Sequence, residues 1–113
     1  MSKRDDTITL GDMLDFAIEA RELVDGMSEQ QYTEDRLRIL ATTRLIEIIG
    51  EAATRLSAEF RNSHPELPWG QMIGMRNRLI HAYDHVEASV LWQTLQESLP
   101  SLIQSLEAIL KQD

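Results

Sequence analysis

The chain has no cysteine in its 113 residues. Disulfide staples and thiolate metal sites are therefore excluded, and a reducing compartment such as the cytoplasm suits the sequence. Long apolar runs are also missing. Met1 to Asp6 is charged and no such run follows it, so neither a signal peptide nor a membrane span is expected. No β alternation, internal repeat, low-complexity tract or glycine-rich phosphate loop appears. Basic charge is scarce: 11 Lys and Arg stand against 19 Asp and Glu, for a net charge of −8. Nonspecific nucleic-acid binding draws on basic surface. Any nucleic-acid role must therefore rest on local clustering of cations, or the protein meets a basic partner.

What remains is helical scaffold. The length fits one domain, residues 1–113, large enough to bury roughly two-thirds of its unfolded surface. Leu10, Met13, Leu14, Ala17, Ile18 and Val24 predict a first helix from about Leu10 to Asp25, with Thr9 as a candidate cap and Gly26 as its stop. Its acids Asp12, Asp15, Glu19, Glu22 and Asp25 read as a solvated face. Ser28 and Thr33 compete to cap a long second helix, from about Glu34 to Arg61. That helix carries two apolar stripes, Leu37-Ala41-Leu45-Ile48-Ala52-Leu56 and Ile39-Ile46-Ile49-Ala53-Phe60. Two stripes require cover on two sides, one from a bundle neighbour and the other from a second subunit. Gly50 sits mid-helix, where glycine costs about 1 kcal/mol against alanine. Close backbone approach by another helix is the expected reason. Glu51 beside it reads as a plain surface acid or as a buried acid that positions an arginine.

Pro65 and Pro68 break the chain, and His64 between the helices reads as an ordinary loop histidine. Pro68 suits the first turn of a third helix, whose buried side is Trp69, Met72, Ile73, Leu79 and Ile80. Leu91, Leu95, Leu99, Leu102, Leu106 and Ile109 stripe a last helical region from Glu87 to about Lys111. Pro100 interrupts that region and predicts a kink or split near Glu97. The expected fold is all-α, an up-and-down bundle of four to five helices.

Chemistry concentrates in Met75 to Tyr83, which holds two arginines, an amide, an imidazole and a phenol. Asn77 and His81, four apart, share a helix face, so the amide can hold one ring nitrogen and leave the other free. Arg76 and His81, five apart, diverge by about 140° on a straight helix. They converge only if the helix ends near Ile80 or a second subunit completes the site. A guanidinium binds phosphate bidentately and an imidazole exchanges protons near neutral pH. RNA cleavage by its own 2′-hydroxyl needs a base, an acid and cations, and no metal or other cofactor. A twofold dimer supplies two histidines and two copies of Arg76. A buried histidine capping a helix end would leave the same sequence trace. His81, Asp84 and His85 crowd into one turn with no further protein segment to join them, which is a weak metal signal.

The run Arg76-Asn77-Arg78-Leu79-Ile80-His81-Ala82-Tyr83 resembles the Arg-x4-His-x-Tyr signature of HepT-like toxins in the HEPN superfamily. Ile49-Gly50-Glu51-Ala52, Leu67-Pro68-Trp69 and Leu99-Pro100 resemble further segments of such proteins. The resemblance implies a ribonuclease toxin of a type VII toxin–antitoxin pair, working as a homodimer with its site in the dimer cleft. Arg76 and His81 would cleave RNA, with Asn77, Arg78 and Glu51 in support. The implied partner is a minimal nucleotidyltransferase antitoxin that silences the toxin by attaching AMP to Tyr83. The acidic balance sits awkwardly with an RNA enzyme, so Arg76 and Arg78, joined by Arg44 or Arg55, have to outweigh it locally. A binding module without turnover, regulated by the same nucleotidyltransferase, is the rival expectation.

Overall fold

A computed structural model describes residues 3–82 and 87–112. No strand occurs among them. The helices are α1 (Lys3–Leu23), α2 (Glu29–Thr33), α3 (Arg36–Arg55), α4 (Ala58–Ser63), α5 (Trp69–Ala82), α6 (Ala88–Gln93) and α7 (Leu99–Leu110). A π-helical turn, Thr94–Ser98, joins α6 to α7 into one bent rod. The all-α bundle is as expected. Its long rods lie in the order α5, α3, α1, α7, each packed mainly on the next. The two short helices α2 and α4 fill connections.

α1 starts a full two turns before the expected Leu10. Its early residues are polar, so they carry no apolar period, but Asp5 and Asp6 in the first turn suit the positive helix end. Asp6 is buried and anchors the helix. Its Oδ1 accepts from Ser57 N at 3.2 Å and its Oδ2 from Ser57 Oγ at 2.8 Å. Further along, Leu10, Met13, Ala17, Ala20 and Val24 are buried, and all five predicted surface acids are exposed. Gly26 follows in the left-handed region at φ 75, the conformation that glycine adopts without steric cost.

The long second helix is interrupted at both ends by caps. Ser28 caps α2 through a capping box with Gln31. Asp35, not Ser28 or Thr33, caps α3, and accepts from Arg38 N at 3.0 Å. α3 ends at Arg55 with Leu56 as its C-cap, and Ser57 caps α4, accepting from Phe60 N at 3.1 Å. Leu56 turns extended to allow this. The apolar stripe runs on through Leu56 and Phe60, so the break leaves no mark in the periodicity.

Lying between α1 and α5, α3 buries Ile46, Ile49, Ala52 and Ala53. Both stripes are thus covered along their C-terminal halves within the chain. The N-terminal end is not: Leu37 is 80% exposed and Leu40 51%.

In the last rod all six predicted leucine and isoleucine positions are buried. The interruption falls where Pro100 demanded it. Leu99 N bonds Thr94 O across the wider turn, and Pro100, lacking an N–H, cannot continue the ladder onto Leu95 O. Arg21 of α1 takes over, with Nη1 donating to Leu95 O at 3.1 Å and to Gln96 Oε1 at 3.2 Å. Among the described residues no helix is long and apolar enough to cross a membrane.

Candidate functional site

Everything singled out for chemistry, apart from Arg44, Glu51 and Arg55 on α3, lies on α5 or follows it in the sequence. Leu67 is buried before it, and Trp69 Nε1 donates to His64 O at 2.9 Å, which ties the helix start to the preceding loop. Pro68 stands one residue before the helix and offers its carbonyl to Met72 N at 3.0 Å. His64 is a structural loop residue, its ring 4.4 Å from that of Phe60 and its Nδ1 3.1 Å from Glu66. Leu79 is the fully buried apolar side chain of α5, while Met72, Ile73 and Met75 are partly covered. Ile80, expected inside, is 36% exposed.

α5 rests on α3 at Gly50. A Cβ there would collide with the Cβ of Arg76 and come within 2.7 Å of Met72 O. The close approach expected of this glycine is therefore real, and the helix that approaches is the one bearing the arginine.

Arg76 is half-buried. Its Nε is enclosed without a hydrogen-bond partner, and its Nη1 donates to Asn77 Oδ1 at 2.9 Å. The amide predicted to steady His81 thus has its oxygen on the arginine instead. Arg78 is exposed and lines a groove of about 700 Å³ between α5 and the bent rod. Facing that groove are Gly70 and Gly74, one turn apart, where a Cβ would meet nothing. The spacing of those glycines was the available sign of the groove, but a glycine pair in a helix has too many causes to be read alone.

His81 is exposed in the last turn of α5. Because the helix runs on to Ala82, Arg76 and His81 leave it about 140° apart. One chain does not gather the two onto a single face. Glu51 is not a buried acid: its side chain is 31% exposed and lies 3.7 Å from Arg44 Nη1. Arg44 also bonds Glu47 at 2.8 Å. Those carboxylates hold the guanidinium in its charged form more firmly than usual and offset its charge. Arg44 therefore adds little free positive charge beside α5, whereas Arg55 is exposed. Tyr83, Asp84 and His85, named as the modification site and the weak metal cluster, lie outside the described residues.

Arginine, amide and imidazole side chains on one edge helix are groups able to bind phosphate and exchange protons. Comparison with known proteins is more specific. The family model described as ribonuclease HepT-like matches residues 13–109, and the chain belongs to that family. It is 40% identical over 104 residues to the "Probable ribonuclease HepT" of Thermococcus cleftensis, covering 88% of this chain and 94% of that one. It is 33% identical over 109 residues to a provisionally named RNase of Methanocaldococcus jannaschii, MJ1380, covering 96% of this chain and 100% of the relative. A provisionally named RNase of Caldanaerobacter subterraneus, TTE0752, is 37% identical over 92 residues, covering 81% of this chain and 82% of that one. No solved structure matches the chain.

Proposed function

We propose that this protein is the toxin of a type VII toxin–antitoxin pair, a cytoplasmic, metal-independent endoribonuclease built as one helical domain and active as a homodimer. The observation that carries the reading is the divided geometry of α5. Arg76 has its stem packed against α3 and is braced by Asn77, while the exposed His81 points about 140° away. Each chain holds half of a site, and a twofold axis beside α5 joins the halves.

In the joined site the two histidines divide the proton transfers. One takes the proton of the RNA 2′-hydroxyl as its oxygen attacks phosphorus. The other gives a proton to the departing 5′-oxygen as the P–O bond breaks, leaving a 2′,3′-cyclic phosphate and a 5′-hydroxyl. Arg76 holds the charge that builds on the non-bridging oxygens, and its planar fork suits two of them at once. Arg78 adds a second cation along the RNA path. Glu51 acts at a distance, by holding Arg44 on the same helix, α3.

The cognate partner in this reading is a minimal nucleotidyltransferase that transfers AMP to Tyr83. Tyr83 is seven residues from Arg76 in the sequence, and an AMP group on it adds an anion that competes with RNA phosphate for that guanidinium. Purified wild-type protein is expected to cut RNA in the presence of EDTA. His81→Ala should lose roughly 10³-fold or more of that activity while remaining folded by circular dichroism. Undiminished cleavage by a clean preparation of the variant would overturn the assignment. A folded, unmodified wild-type protein that never cuts RNA would point to the binding module instead.

A further inference from the structure

Five glycines occur in the chain, and Gly50 is the one whose added Cβ would meet a neighbour. The neighbours are the first side-chain carbon of Arg76 and the backbone oxygen of Met72, 2.7 Å away. Both belong to α5, and they are four residues apart, so the contact spans one turn of that helix. Other glycines lie in helices without any such reason, Gly11 in α1 being one. What is special at Gly50 is the identity of the residue it faces.

We infer that Gly50 is a positioning residue for Arg76. Its bare backbone lets α5 seat against α3 at the root of the arginine side chain. That seating encloses Nε, where no competing acceptor reaches it, and directs the terminal nitrogens outward past Asn77. A methyl group at position 50 pushes the root of Arg76 away from α3. The guanidinium then swings through a larger arc than the displacement itself, because the stem is long. Met72 O cannot yield in its place, being part of the helix backbone. The inference deepens the proposed function and rests on Arg76 as the group that binds phosphate.

Two measurements on the full chain test it, and one does not depend on catalysis. In the wild type, hydrogen exchange at Arg76 Nε, read by nitrogen-15 spectroscopy, should be roughly tenfold or more slower than at the exposed Arg55. Gly50→Ala should abolish that protection in a protein that is still helical. The second measurement is RNA cleavage. Misplacement of this kind costs up to about 10²-fold in rate, so Gly50→Ala should lower kcat by at least tenfold with KM within about twofold of wild type. In an Arg76→Ala background, which lacks a guanidinium to misplace, Gly50→Ala should remove no further activity. Gly11→Ala should leave both readouts unchanged.

Fast exchange at Arg76 Nε in the wild type overturns the inference, and this reading stands even if Gly50→Ala does not fold. Unaltered protection in a folded Gly50→Ala protein, or a second full loss in the Arg76→Ala background, overturns it too. A wild type that protects Nε but never cuts RNA refutes the nuclease reading alone, and loss of that protection in Gly50→Ala still supports Gly50 as the residue that seats Arg76.

Discussion

α3 has two flanks, and they serve different ends. On one side it meets α1, whose Leu10, Met13, Ala17, Ala20 and Val24 are each no more than 2% exposed. On the other it meets α5, which has Leu79 as its fully buried apolar side chain and carries Arg76, Asn77, Arg78 and His81 along its length. α1 in turn packs on α7, another apolar rod, whereas α5 has α3 as its main neighbour. Stability accumulates on the α1 flank, and the proposed chemistry lies on the α5 flank. A site that must admit a phosphodiester needs charges in reach of water, and an edge helix held at a glycine contact and one deeply buried leucine supplies this without opening the core.

The sharpest way to break the comparison is to cut once on each flank. Arg76→Ala should lower RNA cleavage by about 10²- to 10³-fold, as removal of a charge-stabilising donor does, with little change in the denaturation midpoint. Leu106→Ala empties a fully buried position in α7 and should cost about 2–5 kcal/mol, with unchanged turnover per folded molecule. If Arg76→Ala unfolds the protein, or Leu106→Ala destroys activity at temperatures where it is folded, the flanks are not separable as described.

Native-state amide exchange should show the same asymmetry without mutation. Amides of α5 between Met75 and Ile80 have fewer buried side chains above them than those of α1 between Met13 and Ala20. They should open more readily, by an order of magnitude or more in rate. Equal protection in the two helices would mean that α5 is held by more than its contact with α3.

A smaller effect is expected at the π turn. Arg21→Leu removes the donor that satisfies Leu95 O, and a partly buried carbonyl left unpaired costs about 1–3 kcal/mol. Pro100→Ala restores an N–H one residue beyond Leu99, so the same Arg21→Leu change should cost less in that background. Additive costs, measured by urea denaturation of the four proteins, would show that Arg21 stabilises α1 and α7 by packing alone.

Legibility in the sequence follows the same division. The buried stripe of α7 could be read residue by residue, because leucines at helical spacing in a rod with one neighbouring face leave a clean period. The break after Arg55 could not, since it depends on Asp6, 51 residues away, bonding Ser57 while the apolar stripe runs on. Leu37 continues the stripe of α3 yet is 80% exposed, because periodicity marks a face and not how far along it the neighbour extends. At the candidate site the residue types were legible as a motif, and Gly50 as a close approach. Side-chain directions were not. Asn77 shares a face with His81 but its oxygen is held by Arg76 at 2.9 Å, a contact between consecutive residues that helix-face reasoning passes over.

The smallest predicted effect lies in the connection that holds α3 to the rest of the bundle, and it has opposite signs at the two ends of the pH scale. Asp35 caps α3, and bonds from the backbone and side chain of Arg38 hold its carboxyl below the usual value of 3.8. The unfolded chain therefore binds this proton more readily than the folded one. The contribution to stability is present above about pH 4 and is lost as pH falls through the lowered folded value. Tyr32, buried and bonded to Thr42 at 2.8 Å, behaves in reverse. Burial raises its pKa above 10.0, outweighing the opposing Thr42 bond. Its contribution is intact below pH 10 and declines above it, where the unfolded chain loses the phenol proton first. Asp35→Asn should flatten the acid limb of a stability–pH curve and leave the alkaline limb alone, and Tyr32→Phe should do the converse. Since the Thr42 hydroxyl also donates to Arg38 O at 2.7 Å, Tyr32→Phe leaves no buried donor stranded. An alkaline limb that persists in Tyr32→Phe would place the titrating group elsewhere.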